Sequence, residues 1–118
     1  HNRGEPIRTW THAEDTAEAI MLLYEKGNRN QIYNISSEFE QSNYTTIQKF
    51  INCFFMGRTR VNVPDYMKYV DLKWERPGQD VRYSISCNNL KQYGWSPKKD
   101  FDKEIEFIVK YYKEKFIW

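Results

Sequence analysis

"WERPGQDVRYSI", Trp74–Ile85, sets a Pro-Gly break between two stretches that read as extended chain, "YVDLKW" before it and "VRYSIS" after it. Around that break stand Arg76, Asp80 and Arg82. A surface loop tolerates almost any polar residues. Two guanidinium groups in a restricted backbone setting point instead to an anion, because their planar N–H fork donates two parallel hydrogen bonds to a phosphate. Asp80, between them in sequence, can orient an arginine or accept a bond from a sugar hydroxyl.

Outward from this stretch, helices and short strands alternate. In "EDTAEAIMLLYEKG" the apolar Ala17, Ile20, Met21 and Tyr24 recur at helical spacing, and Gly27 is a natural stop. Thr11 and Glu14 have capping-box spacing at its start. "NQIYNIS" reads as a short strand and "SSEFEQS" as a loop. Asn43 is an expected N-cap for a second helix with Ile47, Phe50, Ile51 and Phe54 on one face, ended by Gly57. A possible strand at 61–63 is interrupted by Pro64 and Asp65. "NNLKQYGW" makes a short helix closed by Gly94. Asp100 caps the last helix, where Phe101, Ile105, Ile108, Tyr112 and Phe116 form one stripe. The expected fold class is α/β: a small mixed domain of helices with a few short strands. Such strands are few for a self-sufficient α/β enzyme. The chain starts at His1 and reads as a piece of something longer, with residues 1–118 forming one domain of it.

Composition narrows the function classes. Aromatic residues at 17% and hydrophobic residues at 40% exclude a disordered chain. Eighteen basic against sixteen acidic residues leave +2, too mild for a nucleic-acid binder. No apolar run approaches the ~20 residues of a membrane span, and no signal-peptide pattern opens the chain. Cys53 and Cys87 offer neither a disulfide framework nor a zinc spacing, so free thiols and a cytoplasmic location are expected.

Catalytic motifs are missing. There is no Gly-x-Ser-x-Gly elbow, no His-Glu-x-x-His helix, no P-loop and no Gly-rich dinucleotide fingerprint. His12 precedes a helix and reads as structural. Anion binding fares better: Arg8, in "PIRTW", projects from extended chain just before a helix. Asn34 offers an amide that both donates and accepts. Arg8, Asn34, Arg76, Asp80 and Arg82 are therefore the candidate substrate-binding residues, with no catalytic, cofactor or metal residue among them.

The ordered pieces "IRTWTHAEDTAEAI", "IYNIS", "RPGQDVRYSI", "LKQYGWSP" and "FDKEIEFIVKYYKEKFIW" resemble the C-terminal part of the nucleotide-sugar 4,6-dehydratases, with the dTDP-glucose 4,6-dehydratases nearest in pattern. These are extended short-chain dehydrogenase/reductases. The resemblance implies a two-domain parent whose Rossmann half, absent here, binds NAD and carries the chemistry. The present part would close over a dTDP- or UDP-glucose. In the family C4 of the sugar is oxidised, water leaves across C5 and C6, and C6 is reduced, giving a 4-keto-6-deoxy sugar nucleotide. Matched by position, Arg8, Asn34 and Arg76 would hold the diphosphate or ribose, and Asp80 and Arg82 would support the loop. Gln79 stands where dehydratases often have histidine, and Ser36 and Ser37 replace a common glycine pair. The resemblance further implies that the chain alone is inactive, that its partners are the sugar nucleotide and its own Rossmann domain, and that the full enzyme is a homodimer. The alternatives are an epimerase or decarboxylase of the same superfamily and a non-enzymatic interaction module anchored by Tyr69, Trp74, Trp95 and Trp118.

Overall fold

The centre of the molecule is a three-residue strand, β1 (Ile7–Thr9), paired along both edges. The computed structural model describes residues 1–60, 63 and 65–116; the possible strand at 61–63, Val63 apart, and the candidate anchor Trp118 lie outside these. On one edge β1 runs antiparallel to β2 (Glu40–Ser42), with Arg8 opposite Gln41. On the other edge the Ile7 N–H donates to Val81 O (2.8 Å) and Ile7 O accepts from the Tyr83 N–H (3.3 Å), a parallel bridge. Helix α1 (Ala13–Lys26) leaves β1, α2 (Asn43–Met56) leaves β2, and α3 (Asn88–Lys91) and α4 (Phe101–Lys115) follow. The mixed, helix-rich class expected from the sequence is what forms.

Each long helix starts and stops on local signals. His12 caps α1, its Nδ1 accepting from the Glu14 N–H at 3.1 Å, one residue later than the Thr11 capping box; Thr11 Oγ1 instead accepts from the Ser37 N–H. Ser42 caps α2 through the Thr45 N–H, so Asn43 becomes the first helical residue rather than the cap. Gly57, at φ 71°, closes α2 in the left-handed region that a side chain would resist. Asp100 caps α4 through the Lys103 N–H, as expected.

The strand expectations fare less well. "SSEFEQS", read as a loop, supplies β2, while "NQIYNIS" forms no ladder. The "NQIYNIS" segment is fastened by side chains instead: Tyr33 Oη accepts from the Asn28 N–H and meets Tyr93 Oη at 3.0 Å, and just beyond it Ser37 Oγ donates to Trp10 O at 2.6 Å. "YVDLKW" begins as a 3-10 turn (Tyr66–Tyr69) and then makes no strand pairing. A strand needs a neighbour's ladder, and none aligns with this stretch among the described residues. Ser36 and Ser37 keep negative φ; Glu38 takes the left-handed conformation (φ 58°) while Ser36 Oγ accepts from its N–H.

The core is small: Ala19, Cys87, Leu90 and Trp95, flanked by Leu22, Leu23 and Ile35. The inward face of α1 is therefore Asp15, Ala19, Leu22 and Leu23. The apolar stripe read from the sequence lies outward, with Ile20 55%, Met21 57% and Tyr24 84% exposed. This helix carries apolar residues on two faces, and periodicity alone does not rank them. On α4, Ile105 is buried and Phe101 stacks on Phe39 (5.4 Å), whereas Tyr112 and Phe116 stay half-exposed and stack on each other. Trp95 belongs to the core; Trp74 and Tyr69 are exposed. Both cysteines are free and buried.

Two magnitudes describe how open the chain is. A compact chain of 118 residues has a radius of gyration of about 13.5 Å, against 17.0 Å here. A compact monomer of 14.4 kDa exposes about 6,800 Å², against 9023 Å² here, an excess of roughly 2,200 Å². No helix among the described residues is long and apolar enough to cross a membrane.

Polar fastenings compensate for the small core. The Asp15 carboxylate, 1% exposed, accepts from the backbone N–H groups of Lys98 (3.0 Å) and Lys99 (3.2 Å), pinning the turn before α4 to α1. Glu38 accepts from Lys91 and from the Cys87 N–H; the Lys91 bond, first, holds its carboxyl below the usual range. Asp15→Ala should leave both donors orphaned and cost about 2–3 kcal/mol, read as a lower urea midpoint; an unchanged midpoint would contradict this fastening. Burial, then Glu106 and Asp102, push the Cys53 thiol up to about 11. At pH 8, iodoacetamide should alkylate Cys53 on the order of 100-fold more slowly in the folded than in the unfolded chain. Equal rates would mean that α2 is not packed as described.

Candidate functional site

The site grows from the β1 bridge. Because Ile7 sits against Arg82, the next residue along each segment, Arg8 and Tyr83, project together to the opposite face. The Arg8 guanidinium lies over the Tyr83 ring, 4.4 Å from its centroid. Its Nη1 donates to Ile7 O (2.7 Å) and its Nη2 to Asp80 O (3.2 Å), leaving further N–H groups without a partner among the described residues. The Tyr83 hydroxyl donates to Asp80 Oδ2. That carboxylate holds the phenol above its ordinary range, against smaller opposing pulls from the Arg8 and Arg76 charges.

Arg76 is held through its backbone. Asn2 Oδ1 accepts from the Arg76 N–H at 2.8 Å, clasping the loop before its turn. Gly78 follows at φ 70° with nothing near the position of a Cβ, so glycine serves the turn by backbone freedom rather than by space. The Arg76 side chain is exposed and makes no hydrogen bond or ion pair among the described residues.

The other two candidates stand apart. Arg82 turns to the opposite face and grips Glu40 of β2 with Nε (2.8 Å) and Nη2 (2.7 Å). Bonds from Ser84 and then Arg82 keep the Glu40 carboxyl below its usual range. Of the two guanidiniums that flank the Pro-Gly break, Arg82 is thus committed to the fold, while that of Arg76 makes no such bond among the described residues. Asn34 donates to Ser86 O (3.3 Å), further along the same extended segment, and shares no hydrogen bond with Arg8, Asp80 or Tyr83 among the described residues.

Three contributors have no place among the sequence candidates: Tyr83, Asn2 and Glu40. Tyr83 ends the "RPGQDVRY" run, where residue type and spacing do not set it apart. Asn2 and Glu40 act across 74 and 42 residues, a distance at which no local pattern exists.

With this geometry in hand, the likeness to known proteins is specific. Residues 1–36 match the family model described as NAD dependent epimerase/dehydratase family. The dTDP-glucose 4,6-dehydratase of Haemophilus influenzae is 31% identical over 114 residues, covering 92% of this chain and 33% of that protein. The dTDP-D-glucose 4,6-dehydratase of Bos taurus is 28% identical over 116 residues, covering 98% of this chain and 32% of that protein. The resemblance read from the sequence holds. This chain is similar to the dTDP-glucose 4,6-dehydratases over nearly its whole length. It spans about a third of the length of the curated relatives it matches.

Solved structures agree. A dTDP-glucose 4,6-dehydratase from Bacillus anthracis, in complex with NAD, superimposes with a TM-score of 0.72 at 25% identity, over 94% of this chain and 32% of that one. RMD from Pseudomonas aeruginosa, complexed with NADPH, shares the fold at a TM-score of 0.74 and 18% identity, over 96% of this chain and 35% of that one. Among the described residues, no strand feeds a glycine-rich turn into a helix.

Arg82→Ala should release the 81–83 segment from β2 while leaving Arg8 on its strand. Amide exchange at Tyr83, whose N–H donates to Ile7 O, should then quicken severalfold. Unchanged protection would show that the bridge to β1 holds the segment without Glu40.

Proposed function

We propose that this chain is the sugar-nucleotide-binding part of a longer NAD-dependent 4,6-dehydratase that converts a dTDP- or UDP-linked glucose to its 4-keto-6-deoxy form. The observation that carries the reading is Arg8, seated over the Tyr83 ring with N–H groups to spare, on a strand bridged to the segment that follows the exposed Arg76. A nucleotide diphosphate carries charge on two adjacent phosphates. Two guanidiniums mounted on a strand and on a clasped loop can meet both with little reorganisation.

In this reading Arg8 and Arg76 grip the diphosphate, and Asn34, further along the segment, serves the ribose. Asp80 and Arg82 support the loop: the Asp80 main-chain oxygen seats Arg8, and the Arg82 side chain ties the segment to Glu40. Their work is binding and orientation. NAD would sit in a companion Rossmann domain of the longer protein, which also supplies the groups that act on the sugar; the present chain alone would not turn over.

The surface supports a companion. The roughly 2,200 Å² beyond a compact monomer's expectation is the size of a large, stable interface. Exposed Ile20, Met21, Tyr24 and Ile32 supply apolar area for it. The longer enzyme would work in the cytoplasm as a homodimer assembled through that companion domain.

In the longer protein, Arg76→Ala should weaken dTDP and UDP binding by about 10- to 100-fold, the range of one or two charge-assisted hydrogen bonds, by titration calorimetry. Its thermal unfolding should stay within a degree or two, since the side chain bonds nothing in the fold. Unchanged affinity for both nucleotides would sink the diphosphate assignment.

A further inference from the structure

Tyr83 holds more than its share of contacts for a residue 54% exposed. Its N–H donates to Ile7 O and its carbonyl accepts from Thr9 Oγ1 (3.1 Å), so its backbone is fixed to β1 at both ends. Its ring lies under the Arg8 guanidinium, and its hydroxyl bonds the Asp80 carboxylate. A tyrosine retained only for packing would be buried; this ring sits in solvent with a cation on its face and an anion at its tip.

We propose that Tyr83 is the positioning residue of the arginine site, holding Arg8 flat with its ring while its hydroxyl keeps the Asp80 carboxylate from pairing with that arginine. The inference rests on the diphosphate reading above and deepens it. Arg8 touches Asp80 only at the main-chain oxygen. The carboxylate, on the same residue, is the nearest competitor a phosphate would have for the guanidinium. With its Oδ2 engaged by the phenol, that competitor is occupied. The outer N–H edge of Arg8 stays available to an incoming anion, and the ring fixes the plane in which that edge points.

A role through Asp80 has a signature that mere structural support lacks. In the longer protein, with dTDP as the probe in titration calorimetry, Tyr83→Phe keeps the ring and removes the hydroxyl. The freed carboxylate should pair with Arg8 and weaken binding about fivefold, the scale of an exposed ion pair. Adding Asp80→Asn should restore affinity to near that of the unaltered protein, because the competing charge is gone. Tyr83→Leu, which removes the platform as well, should weaken binding further and should not be rescued by Asp80→Asn. Circular dichroism of each variant guards against misfolding, and Tyr83→Phe, a change of one atom at a half-exposed site, is the variant expected to fold unaltered.

Unaltered dTDP affinity in Tyr83→Phe overturns the proposal. So does a loss that Asp80→Asn fails to recover. If Arg76→Ala still removes binding in either case, the diphosphate reading stands and only the role of Tyr83 falls. If Arg8→Ala and Arg76→Ala both bind dTDP normally, the two fall together.

Discussion

Ile7 commits both of its main-chain groups to the 81–83 segment, and the rest of the site depends on that bridge. β1 is only three residues long, yet it is flanked by β2 on one side and by this segment on the other. The bridge brings residues more than seventy positions apart into register. Once Ile7 meets Arg82, alternation places Arg8 beside Tyr83 on one face and sends Arg82 to Glu40 on the other. One backbone contact thus sorts two arginines to different faces, one over the Tyr83 ring and one committed to Glu40.

The scaffold around this bridge is held by polar fastenings as much as by apolar burial. Asp15 binds two backbone N–H groups of the turn before α4, Asn2 clasps Arg76, Glu38 joins Lys91 to Cys87, and Ser37 bonds Trp10. Each ties a loop to a regular element, and each loses its worth if one partner is removed, because the other is left without a bond. Such a chain can keep a loop like that at Arg76 fixed without burying its side chain. An anion site requires that combination: a backbone that does not move and a guanidinium that still faces water.

The three long helices were legible because their signals are local. Gly27, Gly57 and Asp100 act where the sequence puts them, and the caps of α1 and α2 shift by one residue at most, within the usual imprecision of a helix end. The strand pairings were not legible, although Arg8 and "VRYSIS" were read as extended chain. β2 is three residues of Glu-Gln-Ser with no apolar pattern, and only its register against β1 makes it a strand. The inward face of α1 was misread because Ile20, Met21 and Tyr24 form the better stripe, while the core takes small Ala19 and polar Asp15. For the site, Arg8, Arg76 and Asp80 could be named from residue type and the Pro-Gly break. The divergence of Arg82 and the contribution of Tyr83 depend on side-chain geometry that spacing does not encode.

The central claim is that Arg8 and Arg76 share one diphosphate above Tyr83. A crystal structure of the longer protein with bound dTDP tests it most directly. The account predicts phosphate oxygens at about 2.7–2.9 Å from guanidinium nitrogens of both arginines, with Arg8 still lying on the Tyr83 ring. A diphosphate seated elsewhere, with either guanidinium still in solvent, would contradict it.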